Sequence, residues 1–147
     1  MKKTRMTRIF LLIASLVLLT FAGQAMAGEG APCSASAKAE AELPIISVED
    51  LAAALGDEGA AVAVVDVNSE QTRESEGVIE GAILITSYKD YDPAGTLPAD
   101  QEQKVVFYCA NMRCSASTKA AHVAVDAGYK NVQILKAGIQ GWKESGK

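Results

Sequence analysis

The chain has 147 residues, of which 49% are hydrophobic and 22% charged, and its formal net charge is −4. This length supports a single domain with one hydrophobic core, and three cysteines are too few for a fold held together by disulfides. An acidic chain without a basic stripe repels phosphate backbones, so the composition argues against a nucleic-acid partner.

The first 27 residues have the pattern of an export signal. The basic start contains no acidic residue and comprises Lys2, Lys3, Arg5 and Arg8. The apolar run over residues 9–21 is shorter than the ~20 residues that a membrane span needs, and Ala25-Met26-Ala27 is a cleavage pattern of small residues. We therefore predict a signal peptide over residues 1–27, cleaved after Ala27, and a periplasmic mature chain with no stable membrane span. An uncleaved membrane anchor is the alternative.

Cleavage would change the charge of the protein. The mature chain would keep 10 Lys and Arg against 18 Asp and Glu, because the four leader charges are all basic, and its net charge would lie near −8. Three cysteines would remain, namely Cys33, Cys109 and Cys114. An odd number in an exported protein indicates either one thiol kept free for chemistry or one that pairs outside the chain.

Strands alternate with helices along the rest of the chain. Residues 28–43 are rich in Ala, Ser, Glu and Gly and predict a flexible tether, and residues 44–147 predict one domain. We expect strands at 45–46, 61–67, 81–85, 104–108 and 131–135, and helices at 48–55, 69–76, 115–127 and 139–145. Continuous runs of β-branched residues indicate strands buried on both faces. The pattern predicts an α/β fold, doubly wound, with a mainly parallel five-stranded sheet and helices on both faces.

Cys109 follows a buried strand, at the edge of a parallel sheet where ligands bind. The loop into the next helix contains Ala110, Asn111, Met112, Arg113 and Ser115, which we take as candidate substrate-binding residues. Backbone N–H groups and the helix dipole stabilise a thiolate there, so the sequence predicts a lowered pKa for Cys109, with Arg113 adding positive charge. Such a loop could hold both a thiolate and an anionic sulfur donor. A small buried core cysteine is the alternative.

Two ordered groups of residues carry a resemblance to a known family. The first group comprises Asp66-Val67-Asn68, Glu74 and residues 77–83. The second comprises Val106-Phe107-Tyr108-Cys109, Ala120-Ala121, Gly128-Tyr129, Asn131-Val132, Leu135, Gly138 and Trp142. Together they resemble the rhodanese-like domain family from about Pro44 to the end. The resemblance implies a sulfurtransferase in which Cys109 forms a persulfide from thiosulfate or polysulfide and passes the sulfur to a thiol acceptor or cyanide.

The loop departs from the family pattern C-x-x-G-x-R-S. Met112 takes the place of the glycine, Arg113 comes one residue early, and Cys114 takes the place of the arginine. Outside the loop, Asn68 and Val78 replace the usual Arg and His. The six residues from Cys109 to Cys114 match the loop length of sulfurtransferase members, whereas phosphatase relatives have one residue more. The resemblance therefore disfavours phosphate-ester chemistry, and the missing arginine leaves the sulfur donor open.

Cys114 is a candidate resolving thiol, since two cysteines five residues apart across a tight loop could form a disulfide. It would then displace sulfide from a persulfide on Cys109 and leave a disulfide for a periplasmic reductant. A small residue that caps the helix is an equal alternative. Two thiols without a second pair predict no metal site, and we expect no cofactor. Other classes of function remain open: a thiol–disulfide redox protein that uses both cysteines, or a non-catalytic carrier of sulfur, selenium or a soft metal.

Four further residues have predicted roles away from the loop. Asp66 ends a buried strand and is expected to give structural support, with Arg73 or Arg113 as its partner. His122 is expected to be a helix residue without a catalytic role, and Trp142 to pack in the core. Cys33 lies in the predicted tether, where a mixed disulfide and an idle thiol are both open.

Overall fold

The structure is a computed structural model that describes residues 42–57 and 59–147, all of which belong to one unit, Lys38–Lys147. The predicted signal peptide, residues 28–41 of the predicted tether and Cys33 lie outside the described residues. Within the described ranges, no helix combines the length and the apolar character needed to cross a membrane.

Helices and strands alternate along the described chain; the four predicted helices follow in the expected order, and a further short helix, Pro93–Thr96, lies between the second and third strands. The helices are α1 (Val48–Gly56), α2 (Glu70–Glu76), α3 (Pro93–Thr96), α4 (Ala116–Asp126) and α5 (Gly138–Glu144). The strands are β1 (Val62–Asp66), β2 (Ile83–Leu84), β3 (Lys104–Tyr108) and β4 (Val132–Leu135). A serine precedes both α1 and α2 and caps the helix with its side chain. The Ser47 hydroxyl accepts from the N–H of Asp50, and the Ser69 hydroxyl accepts from the N–H of Thr72.

The four strands form one parallel sheet in the order β2-β1-β3-β4. One core cluster covers the face against α4 and contains Ala120, Ala121 and Ala124. A second covers the opposite face and contains Leu51 of α1 and Ile139 of α5. Helices on both faces of a parallel sheet confirm the predicted α/β architecture.

The described part of the sheet has four strands, where the sequence predicted five. Ile45 forms only an isolated parallel bridge with Ile134 beside β4. Two hydrogen bonds hold it there: the N–H of Ile46 donates to Ile134 O at 3.0 Å, and the N–H of Ile134 donates to Pro44 O at 2.9 Å. The pairing stops because Ser47, the next residue, already caps α1, which turns the chain away from the sheet.

The register of the two central strands sets the location of the candidate site. Asp66 at the end of β1 lies opposite Tyr108 at the end of β3, and the N–H of Val67 donates to Tyr108 O at 3.0 Å. Asn68 and Cys109, which follow these strands, therefore reach the same edge of the sheet. This is the carboxyl edge, where open parallel sheets bind ligands.

Candidate active site

The loop after β3 is anchored on the first turn of α5. The N–H of Ile139 donates to Cys109 O at 2.9 Å, and the N–H of Gln140 donates to Ala110 O at 3.1 Å. These N–H groups lie at a helix start, where they lack partners within the helix. Gly138, which begins α5, has a φ of 65°, and a Cβ added there would lie 2.5 Å from Cys109 O. The close approach of the loop to α5 thus requires glycine at residue 138.

Amide side chains connect the same loop to α5 and α2. The side chain of Asn111 accepts from the N–H of Arg113 at 3.1 Å and donates to Gln140 Oε1 at 3.1 Å. Gln140 in turn donates to Glu76 Oε1 at 3.3 Å. Within the loop, the N–H of Cys114 donates to Asn111 O at 3.0 Å. The loop conformation therefore depends on side chains from three separate elements.

Cys109 is a buried thiol with an exposed fraction of 2%. Its S–H donates to the backbone O of Cys114 at 3.4 Å, and its Sγ lies 3.2 Å from Ser117 Oγ. Burial raises the pKa of Cys109, and the neighbouring thiol of Cys114 raises it further. The hydroxyl and the N–H of Ser117 act in the opposite direction but do not reverse the shift. Cys109 is therefore held as the protonated thiol in this arrangement.

Cys114 has the opposite character, although it is half-buried. Burial alone would raise its pKa, but the neighbouring Cys109 thiol and the N–H groups of Ala116 and Ala110 lower it below its ordinary value. The charge of Lys136 lowers this pKa further. Loss of a proton from the pair is therefore easier at Cys114 than at Cys109.

The prediction of a lowered pKa at Cys109 was wrong, because burial of its thiol outweighs the hydroxyl and the N–H of Ser117, while the N–H groups of Ala116 and Ala110 act on Cys114 instead. Cys109 lies beneath the loop, and its S–H group faces a carbonyl oxygen. The positive charge expected from Arg113 also comes from elsewhere: Arg113 is exposed, and Lys136 supplies the charge that acts on Cys114.

The remaining predicted loop residues surround the thiol pair at different depths. Ala110 and Asn111 are half-buried, Ser115 is exposed, and Met112 is 74% exposed. A cavity of about 290 Å³ adjoins the loop, and its lining includes Asn111, Met112, Arg113, Ala137 and Gln140. The candidate substrate-binding residues Asn111, Met112 and Arg113 thus line one depression, while Ala110 and Ser115 do not line it.

Asp66 holds the carboxyl ends of β1 and β3 together. Tyr108 donates from its hydroxyl to Asp66 Oδ2 at 2.6 Å, and the N–H of Asn68 donates to Asp66 Oδ1 at 2.6 Å. Arg73 is the cation beside it, with its Nε 3.3 Å from Asp66 Oδ1 and its NH2 group bonded to the backbone O of Asp66 and Ile85. Asp66 therefore has buried structural partners, and its cation is Arg73 and not Arg113.

Sequence reasoning missed three residues that bear on the thiols: Ser117, Lys136 and Gln140. Each had a signal in the sequence. Ser117 is a hydroxyl residue on the alanine-rich buried face of α4, and Lys136 directly follows β4, at the same edge of the sheet as the loop. Gln140 is a polar residue in the first turn of α5. Trp142 is half-buried beside the second core cluster, and His122 lies within α4.

Comparison with known proteins gives one family and several related structures. A model of the rhodanese-like domain matches residues 47–145. The dual specificity phosphatase Cdc25 of Arabidopsis thaliana is 32% identical over 95 residues, which are 58% of this chain and 64% of that relative. The chain thus spans a little under two thirds of the length of this relative.

Solved structures share the fold. A protein of unknown function from Rhodopseudomonas palustris, described as a possible tyrosine phosphatase, is 28% identical with a TM-score of 0.59, covering 74% of this chain and 86% of that one. A human single-domain sulfurtransferase is 24% identical with a TM-score of 0.54, covering 69% of this chain and 96% of that one. Because the family model matches well over half of the sequence, the chain belongs to the rhodanese-like domain family.

Proposed function

We propose that this chain is an exported, periplasmic sulfurtransferase. It takes a sulfane sulfur atom from thiosulfate or polysulfide, holds it as a persulfide on Cys109, and passes it to a thiol acceptor or cyanide. The observation that carries the proposal is the location of Cys109, directly after the central strand β3 and against the start of α4. Family membership and the fold shared with single-domain sulfurtransferases support the same reaction class.

The surroundings of Cys109 suit a bound persulfide. Ser117 brings a hydroxyl to within 3.2 Å of its Sγ and also offers an N–H group, so an added sulfur anion would have hydrogen-bond donors at hand. Burial of Cys109 limits access of water and stray thiols to the sulfur. The transfer conserves electrons: a thiolate attacks the outer sulfur of thiosulfate, the S–S bond breaks, and sulfite leaves with the electron pair.

The proposal of export rests on the leader pattern in residues 1–27. Expression of the full-length chain in a bacterium with a general export pathway tests it. We expect a processed product that begins at Gly28 in the periplasmic fraction. An unprocessed chain retained in the cytoplasm or the membrane would contradict the periplasmic assignment.

Mass spectrometry tests the persulfide directly. The mature chain incubated with thiosulfate or polysulfide should gain about 32 Da, one sulfur atom, on a peptide that contains Cys109. Thiosulfate should also release one sulfite per chain before any acceptor is added. If no donor gives an adduct while the thiols remain free, the chain is not a sulfurtransferase. An aryl phosphate assayed in parallel tests the chemistry that the names of two relatives suggest, and we expect no hydrolysis.

A thiol–disulfide redox protein is the second candidate function, and the proximity of Cys109 and Cys114, whose Sγ and backbone O lie 3.4 Å apart, favours it. Oxidation of the pair would release two electrons and two protons to an external oxidant and leave a disulfide. A titration against glutathione couples would then give one defined potential for the pair, lost in Cys114→Ser. Turnover as a sulfurtransferase without an added reductant would argue against this candidate.

A further inference from the structure

The thiols of Cys109 and Cys114 differ in their access to solvent. Cys109 is 2% exposed, and its sulfur contacts both the backbone O of Cys114 and the hydroxyl of Ser117. Cys114 is half-buried and lies in the loop above it. A sulfur donor that approaches from solvent therefore meets Cys114 before Cys109.

The hydrogen-bond donors around the pair also favour reaction at Cys114 before Cys109. The N–H groups of Ala110 and Ala116 and the thiol of Cys109 all favour the charged form of Cys114. Lys136 adds a positive charge from the end of β4. In an acidic chain, such a cluster of N–H groups and positive charge is where an anionic sulfur compound and an attacking thiolate can lie together.

We propose that Cys114 is the entry thiol: it attacks the sulfur donor first, and the sulfur then moves inward to Cys109. This inference rests on the proposed sulfurtransferase function and names the residue that begins the reaction. It gives Cys114 a part in catalysis that differs from resolving a persulfide, because the sulfur reaches Cys109 through it.

Both steps balance without an outside oxidant or reductant. In the first, the Cys114 thiolate attacks the outer sulfur of thiosulfate, the S–S bond of the donor breaks, and sulfite leaves with the electron pair. In the second, the Cys109 sulfur attacks the outer sulfur of the Cys114 persulfide. The bond from that sulfur to Cys114 Sγ breaks, and Cys114 leaves as a thiol after taking the proton of Cys109 across their contact. The product is a persulfide on Cys109.

Single-thiol variants distinguish sulfur entry through Cys114 from direct attack by Cys109. The experiment uses the mature chain in a Cys33→Ser background, so that Cys109 and Cys114 are the remaining thiols. Thiosulfate is added, and the first release of sulfite and the labelled peptide are followed over time. We expect Cys109→Ser to release one sulfite per chain, more slowly than the background chain because the Cys109 thiol no longer supports the Cys114 thiolate, and to carry the sulfur on Cys114. We expect Cys114→Ser to release sulfite at least about tenfold more slowly than the background chain. A normal rate in Cys114→Ser together with no adduct in Cys109→Ser would overturn the proposal.

Alkylation of the unsubstituted pair gives a second measurement that does not depend on a sulfur donor. With a limiting amount of a small haloacetamide near neutral pH, peptide mapping should find Cys114 modified well before Cys109, and earlier modification of Cys109 would contradict the entry role. Failure of the proposed function and failure of the entry role give different results. If the background chain takes sulfur from no donor, the proposed function and the entry role both fail. If it takes up sulfur through Cys109 alone, only the entry role fails.

Discussion

The contact between Gly138 and the loop after β3 allows the effect of a substitution to be estimated from the structure. A Cβ at residue 138 would lie 2.5 Å from Cys109 O and 2.6 Å from both the C and O atoms of Ala110. Ordinary contacts begin near 3.4 Å, so Gly138→Ala requires the loop and α5 to separate by about 0.9 Å. The neighbours are backbone atoms, which cannot rotate away as a side chain would.

Two costs add up in this variant. The φ of 65° is unfavourable for alanine by roughly 1–2 kcal/mol. Overpacking against backbone costs roughly a further 1–3 kcal/mol. We therefore expect Gly138→Ala to lower the free energy of unfolding by about 2–5 kcal/mol. Because displacement of a reacting group by about 1 Å can reduce a rate on the order of 100-fold, sulfur uptake should also fall in the molecules that remain folded.

Gly81→Ala is the matched control for the effect of φ alone. Gly81 has a φ of 77°, but a Cβ there would meet no atom within 4 Å. Urea denaturation of both variants and measurement of sulfite release under folded conditions check the reasoning. Gly81→Ala should lose only about 1–2 kcal/mol and keep its activity. Equal losses of stability in the two variants, or normal sulfur uptake in Gly138→Ala, would refute the argument from the close contact.

Three further predictions concern the buried polar groups and the thiol pair. Tyr108→Phe removes the 2.6 Å hydrogen bond to Asp66 Oδ2 and the acceptor for the N–H of Ile79. Urea denaturation should therefore show a free energy of unfolding lower by about 1–3 kcal/mol. An unchanged denaturation midpoint would mean that water replaces both hydrogen bonds. The alkylation rate of Cys114 should keep its plateau to a lower pH than that of a free cysteine, because the pKa of Cys114 is lowered. Cys109→Ala should move the midpoint of this pH profile upward by removing a donor. A midpoint that stays in place would show that the Cys109 thiol does not stabilise the Cys114 thiolate. Ser117→Ala removes the hydroxyl beside Cys109 Sγ and should shorten the lifetime of the Cys109 persulfide in a mass-spectrometric time course, whereas equal lifetimes would exclude this hydroxyl as a donor.

Most of the fold could be predicted from residue patterns. The β-branched run that became β1, the run that became β3 and the alanine-rich stretch that became α4 all lie within the predicted ranges. These patterns succeed because a strand buried on both faces must be apolar along its length, and a helix packed on one side must repeat its small residues with the helical period. The bridge at Ile45 was taken for a strand, since two apolar residues do not reveal how soon the following helix begins.

The sequence by itself determined that Cys109 follows a buried strand and that Cys114 lies five residues later, at the start of a helix. Only the tertiary structure decided how the nearby N–H groups and the charge of Lys136 are divided between the two thiols. The reason is physical: a pKa depends on donors and charges within a few ångströms, and those around the pair come from the loop after β3, from α4 and from Lys136 after β4. Residue spacing locates the two thiols along the chain, but the packing of three separate segments makes one of them easier to deprotonate than the other.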